Sequence, residues 1–397
     1  MSEQPRGSER PARTALVLSG GGARGAYQVG VLQGLLEIGC LDEGATSAPL
    51  LVGSSAGAIN VGLLAASADR FADGVTMLTR LWSHLRADKV FRTDVRSLGS
   101  IGLHWVRDLT FGGVLGHVSA KALLDTAPLR QLLGKHFRAG HLRDNIARGI
   151  VRAATVSATD LYTGGGVQFV QGAPDLASWT RAHWSVEHVE LGVDHLMASS
   201  AIPVFFPSVE IGSRHFADGC IRNTTPLGPA IRFGADRVIA IGVRGVARPS
   251  VDAGHKRPAP TIAQIAGVLL DAVMLDALEG DVEHSEHVNT SVLHHATGND
   301  AQPFRLIDVL WLRPSERVRE LASELTHRIP PVVRYLLRGL GPDAAITELA
   351  SYLLFDPEFC GRLVELGRAD VAAERARIAP FFERGGSAQP GAARSHG

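Results

Sequence analysis

Residues 51–60 read Leu-Val-Gly-Ser-Ser-Ala-Gly-Ala-Ile-Asn, and Gly53-Ser54-Ser55-Ala56-Gly57 within them is a G-x-S-x-G. It follows the apolar run Ala48-Pro49-Leu50-Leu51-Val52 and opens the helix-like stretch Ala58-Ile59-Asn60-Val61-Gly62-Leu63-Leu64. A serine on a tight strand-to-helix turn has its hydroxyl pushed into a cleft, and Gly53 and Gly57 remove the side chains that would collide there. The helix aims free N–H groups and its positive dipole end at the same point. Such a turn demands a strand followed at once by a helix, the repeating unit of a parallel sheet.

The neighbouring segments carry the same alternation. Thr14–Leu18 is a short apolar run suited to a buried parallel strand. Ser19-Gly20-Gly21-Gly22-Ala23-Arg24-Gly25 follows, then a helical pattern to Leu36. The first 65 residues therefore read β-loop-α-β-turn-α, which predicts an α/β fold with a mostly parallel central sheet flanked by helices. Residues 71–145 read as helices and loops, and 150–157 and 166–171 as strands separated by 158–165. A short helix is expected at 194–200, a hairpin at 209–211 and 214–217, and a last central strand at 237–243. Beyond a Pro- and Gly-containing stretch at 248–260, the patterns at 261–293, 314–325, 331–340, 343–355 and 357–382 are helical.

Charge and cysteine usage narrow the function classes. The 397 residues carry 40 basic and 40 acidic side chains, a balance without the footprint of a nucleic-acid binder. Cys40, Cys220 and Cys360 stand far apart without C-x-x-C spacing, so neither a disulfide framework nor a zinc site is indicated, and a reducing compartment is the default. Residues 1–13 are polar and lack the apolar stretch of a secretory signal. No apolar run reaches the roughly 18 residues that cross a bilayer. Cytoplasmic localisation is expected, with any membrane contact peripheral.

The glycine run admits more than one chemistry. Gly20, Gly22 and Gly25 satisfy G-x-G-x-x-G after a strand and before a helix, as in a dinucleotide-binding turn. That reading wants an acidic residue at the end of the second strand, whereas Asp42 and Glu43 precede it and the Ser55 turn ends it. Alternatively, adjacent glycine N–H groups form an oxyanion hole beside Ser55. A plain tight turn is the third reading. Asp218-Gly219 closes another strand pattern ahead of Cys220-Ile221-Arg222-Asn223-Thr224-Thr225-Pro226. A serine needs a group to take its proton, and none of the 16 histidines sits in a loop whose composition marks it as that partner. Asp218 sits in such a loop, although a D-G pair alone is a turn signal.

In combination these segments resemble the patatin-like phospholipase family. That family shows a strand ending in G-G-G-x-R-G, here residues 20–25, followed by a helix such as Ala26-Tyr27-Gln28-Val29-Gly30-Val31-Leu32. Its G-x-S-x-G followed by A-I-N falls on residues 53–60, its A-T-D-L-x-T-G on 158–164, its S-A-x-P-x-x-F-P on 200–207, and its D-G-[GA] on Asp218-Gly219-Cys220. The likeness is close over residues 13–245 and continues less tightly through Trp311-Leu312-Arg313-Pro314-Ser315 and Leu353-Leu354-Phe355-Asp356-Pro357. Cys220 departs from the usual glycine or alanine, and Asn223-Thr224-Thr225-Pro226 from the usual N-T-P, a difference that bears on loop bracing.

The resemblance implies a Ser–Asp dyad, with Ser55 as nucleophile and Asp218 as general base on the loop that Gly219 opens. Oxyanion stabilisation would come from the backbone of Gly20, Gly21, Gly22, Ala23, Arg24 and Gly25, with the Ala56 N–H as a further donor. Arg24 would either steer an anionic head group or brace the loop. The implied activity is that of a lipid acyl hydrolase acting on phospholipids or acylglycerols without metal or cofactor. The implied organisation is a flexible 1–12, a catalytic domain at 13–247, a helical extension at 248–382 and a disordered 383–397. A catalytically silent lipid-binding scaffold and a dinucleotide-binding protein are the rivals. Oligomeric state is left open.

Three other features invite a role. Glu283, His284 and His287, with His294-His295, suggest a metal site, but a solvated helix face is the expectation. His215 could tune Asp218, but packing or exposure is the simpler reading. Ile262, Ile265, Leu269, Val273 and residues 275–278 form an apolar stripe at helical spacing, for which core packing is expected and a lipid-facing surface is the alternative. Residues 90–117 are an alternative cover for the cleft.

Overall fold

The computed structural model describes residues 12–41, 49–92, 122–181, 183–224, 226–245, 261–295, 305–316, 318–338 and 349–383. The expectations for both chain ends, for the 248–260 stretch and for residues 93–117 lie outside the described residues. Ten strands join one sheet among them: β1 (Thr14–Leu18), β2 (Leu50–Ser54), β3 (Ala153–Asp160), β4 (Gly166–Gly172), β5 (Thr180–Arg181), β6 (Trp184–His188), β7 (Val209–Ile211), β8 (Arg214–Asp218), β9 (Arg237–Ile241) and β10 (Asp308–Leu312). The main path runs β10-β9-β1-β2-β3-β4-β6-β5, and its first five strands run parallel to one another.

The parallel half is buried on both faces, which explains its unbroken apolar runs. Along β1, Leu16 and Leu18 face one apolar layer, while Ala15 and Val17 face the other. The first layer is covered by α1 (Ala26–Glu37), α2 (Ala56–Ala66), α3 (Phe71–Ser83), α4 (Ala127–His136), α5 (Ala139–Ala147) and α6 (Val193–Ser199). The second receives α7 (Gly228–Arg232) and, after α8 (Ile262–Met274), the start of α9 (Asp276–His295). The mostly parallel sheet with flanking helices is as expected.

The C-terminal region adds α10 (Val318–Glu324), α11 (Pro331–Arg338), α12 (Pro357–Ala373) and α13 (Arg375–Glu383), together with β10 on the sheet edge. Asp356 caps α12 by accepting N–H bonds from Glu358 and Phe359, with Pro357 in the first turn, so the L-L-F-D-P segment is a helix start. Helix α12 lies directly against α1: a Cβ at Gly30 would fall 2.1 Å from Val364 O, and one at Gly367 2.5 Å from Tyr27 O. Asp370 fixes this contact by accepting from the Tyr27 hydroxyl at 2.9 Å and from Ser315 N at 3.0 Å.

Three strand details differ from the sequence reading, the first being β10, which extends the sheet beyond the strand expected to be its last. β3 begins at Ala153 and continues to Asp160, through residues expected to be loop, because 158–160 pair with β8. β5 and β6 were not expected; their stretch is mostly polar and occupies the far edge of the sheet, where no strong alternation is required.

Candidate active site

One edge of β3 carries two strands in succession. β2 pairs with it in parallel as far as Ser54↔Ser157, and β8 takes over in antiparallel fashion from Ala158↔Asp218. The opposite edge is occupied by β4 as far as Thr159, so β2 and β8 share a single lane and their C-terminal ends meet. Ser55 is the residue after one end and Asp218 is the last residue of the other. This topology closes a separation of more than 160 positions.

Ser55 stands before the first turn of α2 at φ 54 and ψ −125. A side chain in this region of backbone space costs on the order of 1–3 kcal/mol and persists only where the surroundings enforce it. The enforcement is visible. Ser199 Oγ accepts the Ser55 N–H at 3.1 Å, and Ser200 Oγ donates to Ser55 O at 3.1 Å. A Cβ at Gly57 would lie 2.3 Å from Leu18 O, and one at Gly53 2.4 Å from Gly57 O, so both flanking glycines are required by close backbone approach. Beneath the turn, Asn223 Nδ2 donates to Ser54 Oγ at 2.8 Å, and Ser54 and Ser157 share a hydroxyl hydrogen bond.

Asp218 is wholly buried. Its Oδ1 accepts the Cys220 N–H at 2.9 Å, and its main-chain oxygen accepts from Thr159 Oγ1 at 2.9 Å. Burial raises its pKa from the ordinary carboxylate range to about 6, opposed by the nearby Ser55 hydroxyl and by Cys220. Asp218 Oδ2 nevertheless has no hydrogen bond of normal geometry, so the Ser55 hydroxyl lies close to the carboxylate without being locked to it. Gly219 follows because a Cβ there would fall 2.2 Å from Ser157 O.

The six-residue glycine loop divides by position. Gly22 lines a pocket together with Ser55 and Ala56. Ala56 is the first residue of α2, where an N–H has no acceptor within the helix. The Arg24 N–H donates to Gly21 O at 3.1 Å. The Gly20 N–H interacts with the Cys220 sulfur. Arg24 is 3% exposed and held by protein groups: its Nε donates to Ser351 Oγ at 3.0 Å, its guanidinium lies 4.4 Å from the centre of the Tyr352 ring, and Asp271 Oδ1 is 3.9 Å away. Of its two expected roles, bracing is the one its contacts describe.

The pocket is an open cleft of about 510 Å³, part of it continuous with solvent. Leu81 and Trp82 of α3, Leu132 and Leu133 of α4, Phe206 and Phe355 form its apolar wall. Val90 lines it too, while Phe91 is buried; the rest of the expected cleft cover lies outside the described residues. Trp82 is positioned by donating Nε1–H to Asn60 Oδ1 at 2.8 Å, and Asn60 Nδ2 donates to Gln28 Oε1 at 3.0 Å, which gives the asparagine of A-I-N its place.

Several residues escaped the sequence reading as site components. Ser200 and Asn223 stood inside recognised motifs, but Ser157 and Ser199 offered only the signal of a polar side chain within an apolar segment. Asp160 of A-T-D-L-x-T-G accepts N–H bonds from Tyr162 and Thr163 and faces Arg214, so it organises the β3–β4 turn and the β8 pairing. His215 contacts Ser208 and the Tyr162 ring. His284 and His287 are exposed on α9, and among the described residues no cluster of three or more potential ligands could hold a metal ion. β2 ends on Ser54, so the acidic residue of a dinucleotide site is missing there.

These features define an α/β protein with a serine on a strained strand-to-helix turn and a buried carboxylate at its side. Among the described residues no histidine bonds to either. The chain belongs to the patatin-like phospholipase family, whose model matches residues 16–231. It is 31% identical over 250 residues to uncharacterized NTE family proteins of Mycobacterium tuberculosis and Mycobacterium bovis, a match covering 62% of this chain and 54% of theirs. The chain thus spans about half the length of those relatives. Among solved structures, VipD from Legionella pneumophila aligns at TM-score 0.35 and 14% identity, covering 94% of this chain and 67% of its own.

Proposed function

We propose that the protein hydrolyses acyl esters of phospholipids or acylglycerols, with Ser55 as nucleophile and Asp218 as general base. The observation that carries this reading is the meeting of β2 and β8 in one lane, which sets a strained serine beside a buried carboxylate at an apolar pocket. An acyl chain would lie along Leu81, Trp82 and Phe206, and its ester carbonyl would face Ser55.

Ser55 Oγ attacks the carbonyl carbon while its proton passes to Asp218. The carbonyl oxygen becomes an oxyanion that receives hydrogen bonds from the Gly22 and Ala56 N–H groups, each worth about 3–4 kcal/mol in comparable sites. Collapse breaks the bond to the alcohol, which takes the proton from Asp218 and leaves an acyl-serine. Water then attacks, Asp218 accepts its proton, and the fatty acid departs as Ser55 regains its hydrogen. A carboxylate of ordinary pKa is a weak base, and burial at about 6 brings Asp218 nearer to the task. The chemistry calls for no metal or cofactor.

The test is labelling with a fluorophosphonate together with hydrolysis of phosphatidylcholine, triacylglycerol and short p-nitrophenyl esters. Labelling and hydrolysis that vanish in Ser55→Ala and slow in Asp218→Asn support the reading. Lipid binding with neither labelling nor turnover would make the protein a silent scaffold instead.

A further inference from the structure

Helix α8 has one face against the site and one face in water. On the inner side Met274 is 3% exposed and packs with Cys220, Val243 and Tyr352. Asp271 on the same helix pairs with Arg24 and accepts the Tyr352 hydroxyl at 2.5 Å. On the outer side Ile265, Val268, Leu269 and Val273 are 50, 68, 62 and 36% exposed. At 3.6 residues per turn these four and the exposed Ala272 fall within an arc of about 140°, with Met274 on the opposite side. The stripe divides: Leu275 and Leu278 are buried in the core as expected, whereas Ile265, Leu269 and Val273 face solvent. A contiguous exposed apolar stripe of this kind marks an interaction surface.

We infer that this face docks the protein on a lipid surface with zwitterionic head groups, immediately beside the base loop. The inference rests on the acyl hydrolase reading for its choice of partner, since a lipid hydrolase must meet its substrate at an aggregate surface. Charge selects the kind of surface. Asp271 is the one ionisable residue of α8, and α9 carries Asp276, Glu279, Asp281, Glu283 and Glu286 with no lysine or arginine. Asp271 and Glu279 are paired with Arg24 and Arg313, but the remaining acids of α9 are not offset by any lysine or arginine on the two helices, so attachment through this face comes from apolar insertion and not from basic anchors on it. A second copy of the chain is a poorer occupant, because a stable dimer needs about 800 Å² from each partner, more than four aliphatic side chains on one helix supply. A closed lid is also a poorer description, because a lid hides its apolar face over the cleft and α8 already presents it outward.

The decisive comparison is Val268→Asp/Leu269→Asp in the full chain, with vesicle binding measured in a Ser55→Ala background. The Ser55→Ala protein should sediment with phosphatidylcholine vesicles, and the added substitutions should weaken binding about tenfold or more. Binding should be nearly unchanged between about 50 and about 500 mM salt and should weaken when phosphatidylserine is added. With Ser55 intact, the double variant should still hydrolyse a short soluble p-nitrophenyl ester at about the parental rate while losing activity on vesicles. Unchanged vesicle binding by the double variant overturns the inference. So does a dimer that the substitutions dissociate, with no vesicle binding by either protein. If neither ester is hydrolysed but the substitutions still abolish vesicle binding, the docking face stands and the hydrolase reading falls.

Discussion

The two turns that meet at the pocket are held from different parts of the chain. The Ser55 turn is fixed from within: Gly57 fits against Leu18 O, while Ser199 and Ser200 hold the Ser55 backbone. The glycine loop is fixed from further on. Gly21 fits against Val243, Gly22 against Tyr352 O, and Arg24 reaches Asp271, Ser351 and Tyr352. The match to the family model ends at residue 231, so the first turn is braced by the shared part of the chain and the second by residues beyond it. The region after the matched segment is thus a structural component of the site, and it sets the loop from which oxyanion donors are proposed.

The largest expected effect falls on the internally braced turn. Gly57→Ala would place a methyl 2.3 Å from Leu18 O and 2.6 Å from Ser19 O, both main-chain atoms of β1 and its exit. Neither can move without shifting the sheet, so stability should fall by about 3 kcal/mol in urea unfolding, and esterase activity with it. A variant as stable as the parent would show that the two turns are not packed as described. Next comes Arg24→Met, which keeps much of the buried volume and removes the brace. Hydrolysis should slow about 10–100-fold with little change in unfolding midpoint, read as kcat on a soluble ester. Full activity would mean that the glycine loop holds its shape without the C-terminal region, and the contrast between the turns would collapse.

How much of this was legible in the sequence divides along the same line. The β1–loop–α1–β2–turn–α2 order could be read because a buried parallel strand, a glycine run and a helix each leave a local signature. The lane shared by β2 and β8 left none, since register between distant strands is set by pairing that no local pattern records. Asp218 was singled out from its strand-end position and from the family likeness, and neither gives a distance to Ser55. Ser351 and Tyr352 could not be tied to Arg24 at all: residues more than 300 positions apart meet only after α12 has packed on α1. The α8 stripe was visible at helical spacing, but periodicity cannot tell a face turned to the core from one turned outward.

A smaller effect, confined to the base, comes from pH. Asp218 must be ionised to accept a proton, so kcat/KM should rise with pH through an apparent pKa of about 6 and be about tenfold lower one unit below it. Stability runs the other way. Below about pH 4 the carboxyl is protonated in both the folded and unfolded chain; above that the unfolded chain loses its proton first, so stability declines until about pH 6 and stays lower. Asp218→Asn should therefore unfold later than the parent at pH 8, by about 2 kcal/mol, and show no such gain at pH 4. A flat pH–rate profile from about pH 5 to about pH 7 would remove Asp218 from the role of base.

The smallest effect tests whether the base loop and the glycine loop communicate inside the shared part of the chain. Cys220 stands where the family has glycine or alanine, and its sulfur fills the space beside Gly20: a Cβ on that glycine would lie 2.3 Å from Sγ. The thiol beside Asp218 also lowers the carboxylate pKa, while burial and that neighbour drive its own well up. Removing the donor in Cys220→Ala should move the pH–rate midpoint upward by about half a unit, whereas Cys220→Ser, which keeps a donor, should leave it near the parental value. Both variants release the Gly20 N–H from sulfur, so a change common to the two reports on the glycine loop and a change unique to alanine reports on the base. A midpoint that falls in Cys220→Ala would show that the sulfur acts chiefly by excluding water from Asp218, and would make the cysteine part of the desolvation that raises the base and not of the bonding that opposes it.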